Sequence, residues 1–128
     1  MLMRLTENFN LDEFHCKDGT PVPNELIPNV LELCKNLQAL RDRIYVVIDV
    51  ISGYRTVPYN KKVGGRKYSQ HLKAKAADIV TRRYTPQQLA DIIETLISNG
   101  EMKEGGIGIY PSFVHYDIRG ERARWYEI

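Results

Sequence analysis

Between residues 28 and 44 apolar side chains recur at helical spacing. Val30, Leu33, Cys34, Leu37, Leu40 and Ile44 fall on one face, behind Pro28, which suits a first helical turn. The period then changes. Residues 45–51 (YVVIDVI) are β-branched and mostly apolar, which predicts a strand buried on both faces, ended by Ser52-Gly53. From 52 to 75 no period persists, and a loop of that length in a small domain is a place for function. Ala76–Val80 reads as a second short strand. Thr85-Pro86-Gln87-Gln88 is a helix start, with Thr85 as N-cap, Pro86 in the first turn and Gln88 closing the capping box. Leu89, Ile92, Ile93 and Leu96 form its apolar stripe, and Gly100 ends it. Residues 107–110, 113–118 and 122–127 read as short strands separated by Pro111-Ser112 and Gly120-Glu121. Residues 5–23, broken by Asp18-Gly19, Pro21 and Pro23, read as loop and short turns. This order predicts an α+β fold, with a central antiparallel sheet and helices packed on one side.

Composition narrows the class. The chain has 128 residues, 43% of them hydrophobic, which fits one globular domain over 1–128 and excludes disordered and collagen-like chains. It shows no internal repeat and no Gly/Pro/Ser-rich linker. No apolar run approaches the roughly 18 residues of a membrane span, so no membrane partner is expected. Glu7, Asp12, Glu13 and Asp18 exclude a secretory signal in the first 30 residues, so the chain is expected to be made in the cytoplasm. Two cysteines, Cys16 and Cys34, are too few for a disulfide framework, and Cys34 belongs to the core stripe.

The net charge of +2 says little, but its distribution says more. Nine basic residues and a single acid, Asp78, lie between Arg55 and Arg83, so that segment carries +8 and the rest −6. A stretch this basic suits nucleic acid or a carboxylate-bearing substrate, or it is a solvated face. No nucleic-acid-binding motif accompanies it. The three histidines are His15, His71 and His115. His71 precedes Asp78 by seven positions, and His115 precedes Asp117 by two. Two imidazoles and a carboxylate are the ligand set of a catalytic zinc that keeps one position for water. The alternative for His71 is a histidine on a loop surface. His15 has no partner at metal spacing and reads as a surface or capping residue.

The chemistry-bearing residues come in a fixed order. They are Ser52-Gly53-Tyr54-Arg55, Tyr59-Asn60, Gly64-Gly65, Ser69-Gln70-His71, Ala76-Ala77-Asp78, Gly106-Ile107-Gly108-Ile109-Tyr110 and Val114-His115-Tyr116-Asp117. This series resembles the zinc D-alanyl-D-alanine carboxypeptidase family in its short bacterial and phage branch, whose fold is shared with the hedgehog signalling domain. The resemblance runs from Asn8-Phe9 to Trp125 and implies a hedgehog/DD-peptidase-like fold with the motif-bearing loop over the sheet. It implies zinc ligation by His71, Asp78 and His115, and an Arg55 that faces the substrate and its developing oxyanion. It also matches Ser69 to a serine that shapes the loop or meets substrate. Tyr54 and Tyr110 flank the motifs and are expected to line a groove and bind substrate.

Two departures stand out. The family's His-x-x-Gly-x-Ala-x-Asp has Ala74 in place of glycine, a small change unless the backbone needs positive φ there. The acid that much of the family carries three residues before its last histidine is Ser112 here. Asp117 is the nearest carboxylate, and residues two apart on a strand share a face. Three roles stay open for it: general base, hydrogen-bond acceptor fixing an imidazole, or ion pair with Arg119. The function implied is zinc-dependent hydrolysis of peptidoglycan stem peptides or cross-links by a monomer that binds no nucleic acid. Such a protein would reach the wall after release, as a phage lysis protein does. The alternatives are an idle zinc-binding module of the same fold and a basic nucleic-acid-binding module.

Overall fold

The computed structural model describes residues 3–127. A small antiparallel hairpin, β1 (Arg4–Thr6) with β2 (Phe9–Asn10), opens the chain where loop was expected. Gln38 ties it to the first helix by accepting from the Thr6 hydroxyl and the Asn8 amide. Helix α1 (Ile27–Ile44) buries Val30, Leu33, Cys34, Leu37, Leu40 and Ile44, the stripe that the spacing predicts. It ends on Tyr45, whose left-handed φ of 57° turns the chain away. That turn overrides the β-branched run 45–48. Strand β3 (Asp49–Ser52) starts four residues later than the pattern suggests. It is an edge strand, so it buries only Val50 and Ser52 rather than both faces.

The long loop contains two short helical pieces. Helix α2 (Val57–Lys62) is capped by the Thr56 hydroxyl, which accepts from the Tyr59 amide. A 3₁₀ turn, Gln70–Lys73, is capped by Ser69, whose hydroxyl accepts from the His71 amide. Next come β4 (Ala76–Val80), helix α3 (Pro86–Ser98), β5 (Gly106–Ile109), β6 (Val114–Asp117) and β7 (Ala123–Tyr126). The capping box of Thr85 and Gln88 is formed as expected.

The five-stranded sheet has the order β3-β4-β6-β5-β7. Three pairings are antiparallel, but β7 runs parallel to β5, so the sheet is mixed rather than antiparallel. After β6 the chain crosses to the far side of β5. Arg124 pins β7 there by donating to Glu94 on α3 and to Glu104. Ala77, Ile79, Ile107, Val114 and Tyr116 join Leu33, Leu37, Leu89 and Ile93 in one core on the helix-covered face. Because side chains alternate across a strand, the intervening positions face the other way, toward the loop.

Ala74 sits at the end of the 3₁₀ turn with φ 57° and ψ 32°, the left-handed conformation for which glycine is suited. A left-handed L-residue costs about 1–2 kcal/mol, while glycine costs roughly 0.5–1 kcal/mol more chain entropy. Ala74 is also buried, and losing its methyl costs about 0.8 kcal/mol, so Ala74→Gly is expected to leave stability within about 1 kcal/mol of wild type. A urea titration showing a loss of several kcal/mol would contradict this.

Candidate metal centre

One cross-strand row organises the site. Ser52 lies opposite Asp78, Asp78 opposite His115, His115 opposite Gly108, and Gly108 opposite Trp125. Strands β4 and β6 thus deliver Asp78 and His115 side by side. The capped 3₁₀ turn brings His71 over them. Each of the three offers a ligand atom within 4.8 Å of the others, and all three residues are buried.

The ring nitrogens are sorted by their other partners. His71 Nδ1 lies 2.7 Å from the Gly53 carbonyl oxygen, which only accepts, so Nδ1 carries the proton and Nε2 is a lone pair. His115 Nε2 donates to Asp117 Oδ2 at 2.7 Å, which leaves Nδ1 as its lone pair. Those two lone pairs each stand 3.2 Å from Asp78 Oδ1. Three acceptors converge with no proton of their own between them, and only a cation or an added proton satisfies that arrangement. A mixed nitrogen/oxygen set of this kind fits zinc.

Charge is arranged to match. Burial pulls the His71 pKa down against the opposing pull of Asp78, which keeps the ring in its neutral, ligating form. Burial would lower His115 as well, but the hydrogen bonds with Asp117 and Asp78 outweigh it and the net shift is upward. Asp78 is held below the usual carboxylate range: burial opposes this and the two imidazoles overcome it. Its second oxygen, Oδ2, accepts from Arg55 Nη2 at 3.0 Å.

The sequence-derived site residues divide. His71, Asp78 and His115 come together. Arg55 lines the cleft, but it also donates to Ser52 Oγ, Asn60 Oδ1 and Asp78 Oδ2, so it braces the carboxylate ligand. Ser69 shapes the turn and borders the cleft, and Tyr110 stands on its wall. Tyr54 does not line the cleft; it is half-buried against the core, with its amide bonded to Phe14 O. His15 accepts from the Val22 amide, a loop-capping contact.

The role of general base does not fit Asp117. Its carboxylate is fully buried and accepts from the Gly106 amide, the Arg119 amide and guanidinium, and His115 Nε2. It therefore stands behind the His115 ring, on the edge away from the other ligands. Burial would raise its pKa, but these donors hold it well down, so it stays an acceptor. Ser112 is exposed in the β5–β6 turn. The ordered motifs contain Asn60, Gly106 and Gly108, and the resemblance reaches Trp125, but the sequence assigns none of the four a role. A Cβ on Gly106 would overlap the Asp117 carboxylate, and one on Gly108 would overlap the Trp125 indole. Glycine at alternate positions of a strand is the signal of such close approach.

A cleft of about 760 Å³ opens over the three ligands. Arg66 and Lys67 on the loop form part of its exposed rim, and the rings of Tyr110, Phe113 and Trp125 form part of its wall. Arg82 and Arg83 belong to a separate groove beside Tyr45, so the basic segment does not act as one surface.

The sequence profile of the family described as Peptidase M15 matches residues 6–117, which take in His71, Asp78 and His115. No curated protein matched the chain.

Zinc is expected to bind with one equivalent per chain and, at a hundredfold excess over Kd, to stabilise the fold by about 2.7 kcal/mol, read as a rise in Tm. Asp117→Asn should weaken zinc about 10- to 100-fold in chelator competition. An unchanged affinity would show that Asp117 does not set the His115 ring.

Proposed function

Because the chain belongs to the Peptidase M15 family of zinc-dependent peptidases, we propose that it hydrolyses peptide bonds in peptidoglycan, in stem peptides or their cross-links. The observation that carries this reading is the convergence of three proton-free acceptors at the floor of a cleft with a cationic rim. His71 Nε2, Asp78 Oδ1 and His115 Nδ1 would hold zinc. When bound, zinc supplies a Lewis acid that polarises a carbonyl and acidifies water.

The chain's own residues do the rest. Of the five N–H donors of a guanidinium, three on Arg55 are engaged internally, which leaves two for a substrate oxygen. Arg66 and Lys67 offer charge to the carboxylates that stem peptides carry. Arg66 pairs with Glu127 through an exposed 3.4 Å contact, which a substrate carboxylate could replace at little cost. Tyr68, 82% exposed beside Lys67, adds an apolar lip. We read the protein as a monomer made in the cytoplasm that meets its substrate after release. No helix among the described residues is long and apolar enough to cross a membrane.

One observation favours a second reading, an idle zinc-binding module that recognises the same peptides. Asp117 is fully engaged and Ser112 carries no carboxylate, so neither is suited to take a proton from water.

The deciding experiment is mass spectrometry of purified peptidoglycan fragments incubated with the zinc-loaded protein, with and without chelator. Cleavage lost with chelator and restored by zinc supports the peptidase, and the product masses name the bond. Binding without any cleavage supports the idle module. Arg55→Lys should lower kcat/KM and also Tm, because a single ammonium cannot reproduce three divergent hydrogen bonds. A variant with wild-type Tm and lowered kcat/KM would mean that Arg55 serves the substrate alone.

A further inference from the structure

Trp125 is the chain's one tryptophan, and it shares the cross-strand row of Asp78 and His115 without being a ligand. The core does not account for it. The indole is half-buried and lies on the sheet face away from the helices. Its ring centre stands 4.9 Å from that of His115, tilted by 53°. Gly108, between the two in the row, leaves the space that this contact needs. The Arg66 and Arg119 guanidiniums stand 5.6 and 5.5 Å from the indole centre, so the ring is steadied by cations as well.

The edge of the indole makes a second connection. Trp125 Nε1 donates to Tyr110 Oη at 3.0 Å. An indole nitrogen only donates, so the phenol oxygen is the acceptor and its own proton is left for another partner. Tyr110 is in turn held flat by Phe113, stacked at 4.4 Å and 11°, and both rings line the cleft. One side chain thus packs its ring, tilted, against a candidate metal ligand and donates from its Nε1 to a cleft-wall hydroxyl.

We propose that Trp125 is the positioning residue of this centre. Its ring, packed at a tilt against the His115 imidazole, fixes the plane of that imidazole, and its N–H turns the Tyr110 hydroxyl proton toward a substrate oxygen, a carbonyl or carboxylate of the bound peptide. Asp117 alone cannot do the first, because one hydrogen bond at a ring edge leaves the ring free to tilt about that bond. The indole, together with the edge-on His71 ring 5.1 Å away, restrains that tilt. The substrate half of this proposal rests on the peptidase reading; the metal half does not.

The test compares wild type, Trp125→Phe, Trp125→Leu, Tyr110→Phe and the Trp125→Phe/Tyr110→Phe double variant, each with its Tm. In wild type, Co²⁺ should quench the single tryptophan's fluorescence and saturate at one equivalent, and His71→Ala should abolish the quenching. Trp125→Leu should weaken Co²⁺, measured by chelator competition on the folded protein, about 10-fold or more. Trp125→Phe keeps an aromatic face and should keep the metal affinity. It should instead lose about 3- to 10-fold in kcat/KM, the worth of one neutral hydrogen bond, as Tyr110→Phe should. The double variant should be no worse than Tyr110→Phe, since both changes remove one shared interaction. A Trp125→Leu protein that melts lower yet binds Co²⁺ with wild-type affinity would overturn the proposal, as would additive losses in the double variant. If no peptide is cleaved by any variant, the peptidase reading fails, while the Co²⁺ affinities still decide the role of Trp125.

Discussion

Three lone pairs aimed at one another from buried side chains are the constraint on which this structure depends. His71 Nε2, Asp78 Oδ1 and His115 Nδ1 repel unless something positive lies among them. Everything nearby serves to keep them in that state. The Gly53 carbonyl and the Asp117 carboxylate take the other imidazole protons, so neither ring can relieve the conflict by changing tautomer. Arg55 occupies the far oxygen of Asp78, so the carboxylate cannot rotate away. A centre of this kind discriminates by charge before it discriminates by size. The cost of assembling it is met by the helix-covered face of the same sheet, where Leu33, Leu37, Ile79, Leu89, Ile93 and Tyr116 are buried.

The two faces of the sheet therefore have opposite duties, and the alternation of the strands separates them. In β6, Val114 and Tyr116 hold the core while His115 lines the cleft and Asp117, on the same face, lies buried behind it. In β5, Ile107 packs inward while Gly106 and Gly108 supply no side chain at all. Those glycines are working positions: one gives the Asp117 carboxylate its berth and its amide donor, the other gives the indole its floor. The cation-rich rim comes from the irregular segment, where no period constrains the choice of residue. Substrate preference can thus be adjusted on the loop without disturbing the ligand set beneath it.

Much of this was legible in the sequence because it is local. The α1 stripe and the Thr85 capping box depend on spacings of three and four residues, and both form as read. The convergence of His71, Asp78 and His115 was legible because the ordered motifs pick out these three residues. What was not legible is what depends on remote partners. Residues 45–48 have strand chemistry, yet the end of α1 claims them through Tyr45. The parallel placement of β7 is fixed by Arg124 reaching α3, a pairing that no window around 122–127 contains. The shared face of His115 and Asp117 was correctly implied by their spacing. Which ring nitrogen the carboxylate would meet was not, because that depends on where His71 and Asp78 stand.

The placement of β7 also gives the molecule a front and a back. Glu127 follows the strand directly onto the cleft wall, where it meets Arg66. Anything fused behind it leaves the fold at the mouth of the cleft. The opening hairpin lies against α1, and none of its residues borders the cleft. A purification handle or a surface tether attached at that hairpin leaves the mouth clear, whereas the same handle joined after β7 would stand in the doorway.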